Sequence, residues 1–291
     1  MSASYKILPT DLFVRTVKHN FDVEHVFLLG AGASKSSGVL TAEECIWEWK
    51  KEIFKSNNID KLDEYRDLEW NADNAKKIIQ DWLDNVGSYP TDKDPSEYSF
   101  YAEKSFVNSR TRRKFFEGLF QDKKPGVGYK LLCLLAESGM AKIIFTTNFD
   151  GLFVKAANQA DDIKPKEITI ETADLIHQPI TGKCILCVAL HGDYKYAKLK
   201  NTETELDNQS DDFKTALKFH LYNKHLIVLG YSGRDKSLMS ALENAYSAKG
   251  SGELFWCNYK GEVSQDVENL LNNVNRNERK VIFPRFHGHS I

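Results

Sequence analysis

The first clear hydrophobic signal along the chain is EHVFLLG, residues 24 to 30, an apolar run without alternation and with a small-residue turn behind it. Such a run is the pattern of a strand buried on both faces of a parallel sheet and feeding a helix, and it is taken as the first strand. Thr41-Ala42-Glu43-Glu44 then reads as a capping box at the head of a helix, CIWEWKKEIFKSN. Between about residues 57 and 140 the apolar spacing is helical in NAKKIIQDWLDNV, TRRKFFEGLF and VGYKLLCLLAESG, broken by a polar stretch containing Pro90 and Pro95. This block is predicted to be an all-helical insertion or lobe. From residue 141 the period changes, and short apolar runs alternate with amphipathic ones: KIIFTT, a helix, ILCVALHG, DDFKTALKFHLYN, HLIVLGYSG, SLMSALENAYS, ELFWCN, VENLLNNV and KVIFP. That is the βαβ rhythm of a doubly wound parallel sheet, so the expected class is α/β. The polar segment around 197 to 212 is expected to form an exposed loop over the site or at its rim.

Composition narrows the chemistry. At 291 residues, 42% hydrophobic and 27% charged, the chain can bury a full core as one large domain or as a domain with a sizeable insertion. The formal charge is -2, from 39 basic and 41 acidic residues, with no long like-charge run. No electrostatic footprint for nucleic acid or an anionic membrane results, which leaves small-molecule chemistry as the better expectation. No apolar run approaches the roughly 20 residues that a membrane helix needs, and MSASYKILPTDLF lacks a secretory hydrophobic core, so a cytoplasmic location is expected. Cys45, Cys133, Cys184, Cys187 and Cys257 are odd in number and scattered, which argues against a disulfide framework. Cys184 and Cys187 form a CxxC inside KCILCVALHG, a predicted buried strand, with no second pair to complete a tetrahedral zinc site. Buried thiols, and no metal, are expected there.

Polar clusters at the ends of apolar runs carry the candidate chemistry. Gly30-Ala31-Gly32-Ala33-Ser34 follows the first strand directly, where a tight turn lets backbone N–H groups approach a pyrophosphate at a helix N-terminus. It lacks the third glycine of the dinucleotide fingerprint and the Lys-Ser/Thr of a P-loop, which disfavours a hydride-transferring enzyme and a P-loop NTPase. Small residues required only for packing explain the turn alone equally well. Three more clusters share the placement: Thr146-Thr147-Asn148-Phe149-Asp150, His191-Gly192-Asp193, and Gly230-Tyr231-Ser232-Gly233-Arg234-Asp235. In an open α/β sheet the strand carboxyl ends line the ligand crevice. Each cluster also has a bland reading, with Asp150 and Asp235 as helix N-caps, His191 as a satisfied imidazole, and Gly230 and Gly233 as turn residues.

Together GAGAS, TTNFD, LHG and GYSGRD, in this order and spacing, resemble the sirtuin-like (silent information regulator) NAD-consuming family. EYSFYAEKSF and GYKLLCLLAESG resemble more specifically its branch in bacterial antiphage defence. The resemblance implies one Rossmann-like, sirtuin-like domain over 1–291 with the helical insertion inside it. It matches Gly30, Ala31, Gly32 and Ser34 to the turn that holds the NAD phosphates, with Thr147 and Asp150 beside Asn148, the asparagine at the nicotinamide ribose. His191 matches the catalytic histidine. Gly230, Ser232, Arg234 and Asp235 match the loop bordering the phosphates and adenosine ribose, and Asn258 in FWCNY is a candidate adenosine contact. Two departures from the deacylases stand out: Ser37-Gly38-Val39-Leu40-Thr41-Ala42 replaces their proline, aspartate, phenylalanine and arginine, and their four-cysteine zinc module cannot be built here.

These features point to NAD+ as the substrate rather than an acyl-lysine. The expected activity is NAD+ glycohydrolysis to nicotinamide and ADP-ribose, as a regulated antiphage effector. Competing readings are a sirtuin-type deacylase or ADP-ribosyltransferase, and a non-catalytic module that senses NAD+ or ADP-ribose. A defence effector must be silent until triggered, so a homo-oligomer, a partner protein or a further domain is expected to control it. The ending KVIFPRFHGHSI is compatible with a chain that continues into a longer protein.

Overall fold

The computed structural model describes residues 6–94, 96–178, 180–191, 211–247, 250, 252–258, 263–276 and 281–285. Gly192, Asp193 and most of the expected rim loop at 197–212 lie outside the described residues. The strands are β1 (Lys6–Pro9), β2 (His25–Leu29), β3 (Ala141–Thr146), β4 (Lys164–Ile168), β5 (Cys184–Ala189), β6 (His225–Leu229), β7 (Leu254–Cys257) and β8 (Val281–Arg285). They form one sheet in the order β1-β8-β7-β6-β2-β3-β5-β4, with every described pairing parallel. The chain builds outward from β2 on one side through β3 to β5, then crosses to β6 and builds outward on the other. The topological switch point therefore lies between β2 and β6.

The EHVFLLG run is β2 and not the first strand. KILP forms β1 at the outer edge against β8, too short to show a periodicity of its own, and leads into α1 (Thr10–His19). The other edge, β4, is KPKEI, a strand with a proline inside it. The Lys164 N–H donates to the Lys183 carbonyl at 2.9 Å, so even-numbered residues of β4 face β5 and Pro165 faces outward. The ladder loses no hydrogen bond to the proline, which is why an edge strand tolerates it.

The unbroken apolar runs follow from burial on both faces. Val26 and Leu28 pack on one side of β2, and Phe27 and Leu29 on the other. One face is covered by α8 (Asp211–His220), α9 (Lys236–Ser247) and α10 (Gln265–Arg276), through Phe213, Leu217, Leu242 and Leu271. The opposite face carries everything between β2 and β3, and every described element there is helical. After a 3-10 turn at Ala31–Ser37 come α2 (Ala42–Asn57), a second 3-10 turn at Ile59–Tyr65, α3 (Asp73–Val86), α4 (Glu97–Lys104), α5 (Ser109–Phe120) and α6 (Val127–Glu137). The capping box on α2 is formed, with Thr41 Oγ1 accepting from Glu44 N–H and the Glu44 carboxylate from Thr41 N–H. Trp49 on α2 holds the lobe together, in ring contact with Tyr98, Phe106, Phe115 and Phe116.

Two loops meet at the switch point with no room for a side chain. Gly30 N–H donates to Leu229 O, and Gly32 N–H to Gly230 O, both at 2.9 Å. A Cβ on Gly30 would stand 2.4 Å from Gly230 O, and a Cβ on Gly230 the same distance from Ala33 N. Gly230 is also left-handed, at φ +64°. Gly230→Ala is therefore expected to cost about 2 kcal/mol or more, from backbone strain plus the clash. A lower midpoint in chemical denaturation checks it, and a midpoint equal to wild type would overturn the packing account.

At the amino end of the sheet, His25 is fully buried with its ring 5.2 Å from that of His225. Burial, with His225 adding to it, pushes the pKa of His25 down to about 4. Burial does the same for His220, to about 4, and lowers His225 as well. These groups take up protons more readily once unfolded, so their contribution to stability is intact above pH 6.5 and is lost as pH falls toward about 4. Calorimetry should show Tm falling across that window, and falling less steeply in His25→Leu; a Tm constant from pH 7 to 4 would contradict it.

Candidate functional site

Register brings the polar clusters together. Leu29 pairs with both Thr146 and Leu229, and Thr146 pairs with Ala189, so β2, β3, β5 and β6 end in one line. The residues that follow each strand emerge side by side over the switch point, where α/β sheets bind ligands. A cavity of about 430 Å³ opens there, lined by Ala31, Ser34, Thr147, Asn148, Asp150, His191, Gly230, Ser232, Arg234 and Asp235. That volume falls in the range of small-molecule sites. Of the sequence-derived residues, Gly30, Gly32 and Asn258 are not in this lining. Gly30 and Gly32 stand just behind it, their amides engaged in joining the two loops. Asn258 follows β7, one strand further out. The helix that the glycine turn enters is a 3-10 helix, Ala31–Ser37.

Behind the cavity floor, four side chains form a buried hydrogen-bond network. Asn148 Nδ2 donates to Gly30 O and to Ser34 Oγ, each at 3.0 Å. A carbonyl can only accept, so this contact fixes the orientation of the amide and leaves Oδ1 out of the set. The Ser34 hydroxyl donates to Asp150 Oδ2. Its single proton being used there, the contact of 2.6 Å to Tyr129 must be donated by the tyrosine. Asp150 Oδ1 accepts from Leu152 N–H at 2.9 Å, at the head of α7 (Leu152–Ala157). Burial, reinforced by the Asp150 charge, pushes the Tyr129 pKa up and keeps its phenol protonated. Ser34 is wholly buried, so its hydroxyl joins the turn to β3's end. Tyr129 is absent from the sequence reading because an aromatic on the buried face of an amphipathic helix looks like core.

On the other side of the cavity His191 meets Asp235. Nε2 of the imidazole lies 2.7 Å from Asp235 Oδ2, with both residues less than a tenth exposed. Asp235 Oδ1 accepts from Ser237 N–H and Ser237 Oγ at 2.9 Å and from Leu238 N–H at 3.1 Å, capping α9. Burial works to raise the Asp235 pKa, but the hydrogen bond and charge of His191, with the Leu238 and Ser237 donors, outweigh it and hold the carboxyl below its ordinary value. The Phe149 ring centroid lies 6.3 Å from that of His191. Arg234 reaches across to Glu43 at the head of α2, at 3.1 Å.

The helical lobe supplies an apolar wall that the sequence did not single out, with Val39, Leu40, Tyr98, Phe116 and Phe120. Cys45 is also in the lining, but burial pushes its thiol up to about 12, so it is no thiolate nucleophile at neutral pH. Cys184 and Cys187 sit three residues apart on β5, on opposite faces of the sheet. That pair cannot close on one metal ion.

Residues 142–278 match the family model of the SIR2-like domain. The matched span contains Asn148, His191 and the GYSGRD loop, and the glycine-rich turn precedes it. Among solved structures, the chain is similar to one described as "The Structural basis of Sirtuin Substrate Affinity", with 15% identity over 95% of this chain and 93% of that one, at a TM-score of 0.44. It is similar also to one described as "Structure of Sir2Tm bound to a propionylated peptide", with 15% identity over 95% and 92% of the two chains, at a TM-score of 0.36. No curated protein matches. Residues 142–278, within this parallel sheet, are thus similar to a SIR2-like domain.

Proposed function

We propose that the chain hydrolyses the nicotinamide–ribose bond of NAD+, releasing nicotinamide and ADP-ribose. The observation that carries this reading is the convergence of His191 and Asn148, with both glycine-bearing loops, on one cavity at the switch point. Breaking this bond passes through an oxocarbenium-like sugar, as in glycoside hydrolysis, but the leaving group is a cationic pyridinium and needs no acid. The side chains fit that requirement. Asp150 and Asp235 each have both oxygens engaged, and neither forms a free carboxylate pair with the other. One base suffices, and His191 takes the proton of the water that captures the sugar cation. Asn148 Oδ1, left out of the buried network, orients that water and the ribose hydroxyls. Ala31, Thr147, Gly230, Ser232 and Arg234 are the remaining cavity residues assigned to the dinucleotide. In a cell, turnover of this kind depletes NAD+, which suits a regulated antiphage effector held in check by oligomerisation, a partner protein or a further domain.

The apolar wall from the lobe favours a second reading, deacylation of an acyl-lysine with NAD+ as co-substrate. Incubation of the purified chain with NAD+ alone separates the two, with products followed by mass spectrometry. Hydrolysis predicts nicotinamide and ADP-ribose without any acceptor; release that requires an acylated peptide overturns it. His191→Ala is expected to lower turnover by at least about 10²-fold, the lower range for loss of a positioned base. Asn148→Ala should lose turnover and stability together, by about 1–3 kcal/mol, because its amide is part of a buried network. An Asn148→Ala protein with normal NAD+ kinetics would remove the residue from the site.

A further inference from the structure

Asp235 does more than an N-cap requires. Capping uses one oxygen, and Oδ1 alone receives all three donors at the head of α9. The second oxygen is thereby fixed in place and stands 2.7 Å from His191 Nε2. An ionised carboxylate only accepts, so Nε2 must be the ring nitrogen that carries hydrogen. The donors on Oδ1 and the positive end of α9 keep that carboxylate ionised, in agreement with its lowered pKa. Nδ1 takes no hydrogen bond among the described residues and holds the lone pair.

We propose that Asp235 is the positioning residue of the site: it fixes the Nε2–H tautomer of His191 and thereby makes Nδ1 the atom that accepts the proton. The proposal rests on the hydrolytic reading above and specifies its base. The C–N bond breaks with its electron pair leaving on the nicotinamide nitrogen. Water oxygen bonds to the anomeric carbon, and the water proton passes to Nδ1. The imidazolium so formed faces the Asp235 carboxylate through Nε2–H, then returns its proton to solvent from Nδ1. The pair with Asp235 stabilises the charge on the ring at the moment it appears. Asp235 accordingly leaves the dinucleotide-binding set suggested by its place in the GYSGRD loop. Other charged groups in the cavity lining are Asp94, Asp150, Arg234 and Lys236, and they stay in place in the variants below.

Asp235→Asn is a selective probe, because asparagine caps helices as well as aspartate does. With its oxygen held at the α9 cap, the new NH2 group points at Nε2. That nitrogen must then accept, and the ring proton moves to Nδ1. In ¹⁵N-histidine spectra of the full chain, wild type should show a protonated Nε2 and an unprotonated Nδ1 for His191, and Asp235→Asn should reverse them. Kinetically, kcat should fall about 10²-fold or more with KM changed little, as expected for a base in the wrong tautomer. Asp235→Glu should restore part of kcat. A wild-type ring protonated at Nδ1, or an Asp235→Asn enzyme with wild-type kcat and tautomer, overturns the proposal. If wild type releases no nicotinamide in any assembly state, hydrolysis falls, while the spectra still decide whether Asp235 sets the tautomer.

Discussion

The site depends on a contact in which two backbones meet without side chains. Gly30 and Gly32 on one loop and Gly230 on the other approach so closely that a Cβ on either side would overlap a backbone atom. That approach lets the ends of β2 and β6 stay adjacent through the switch point, where the chain changes direction across the sheet. It also determines what the next residues can do. With Gly30 O held in place, Asn148 has an acceptor for its amide, Ser34 is drawn beneath the loop, and Asp150 and Tyr129 close the network around it. Polar groups are costly to bury without partners, so a shift of the loop by a fraction of a bond length would be felt by all four.

Sheet and lobe divide the lining of the cavity between them. Strand-end loops provide hydrogen-bonding and charged groups, each tied to backbone or to a helix head. The helices between β2 and β3 provide the apolar side, and they are coupled to the polar side by rings in contact: Trp49 with Phe116, Phe116 with Phe149, and Phe149 with His191. Close-packed interiors pass a displacement on rather than absorb it. The position of the imidazole is therefore sensitive to how the lobe packs, even though no lobe residue bonds to it among the described residues.

The parallel sheet and its loaded strand ends were legible because doubly buried strands are written as uninterrupted apolar runs, and polar residues straight after such runs have few structural reasons to cluster. Elements with weaker signals were not. β1 is four residues ending at a proline, and β4 contains lysines and a proline, since an edge strand need not be apolar on both faces. GAGAS was visible as a glycine-rich turn, but a sequence does not say what approaches a glycine, and part of the answer is another backbone. The double engagement of Asp235 was hidden for a similar reason. Its N-cap role could be read from neighbours in sequence, whereas its partner His191 lies 44 positions away. The lobe residues in the cavity follow helical spacing like any core residue, and periodicity carries no mark that separates a wall of a cavity from packed interior.

The outward-facing proline of β4 bears on how molecules of this kind can associate. A free sheet margin offers a row of amides and carbonyls to any incoming strand, and sheets that leave it intact invite end-on growth into fibres. At Pro165 that row lacks a donor, with lysines on either side in sequence. An intruding strand would find the hydrogen-bond row interrupted and would bring its backbone beside positive charge. Association through this margin is thus discouraged.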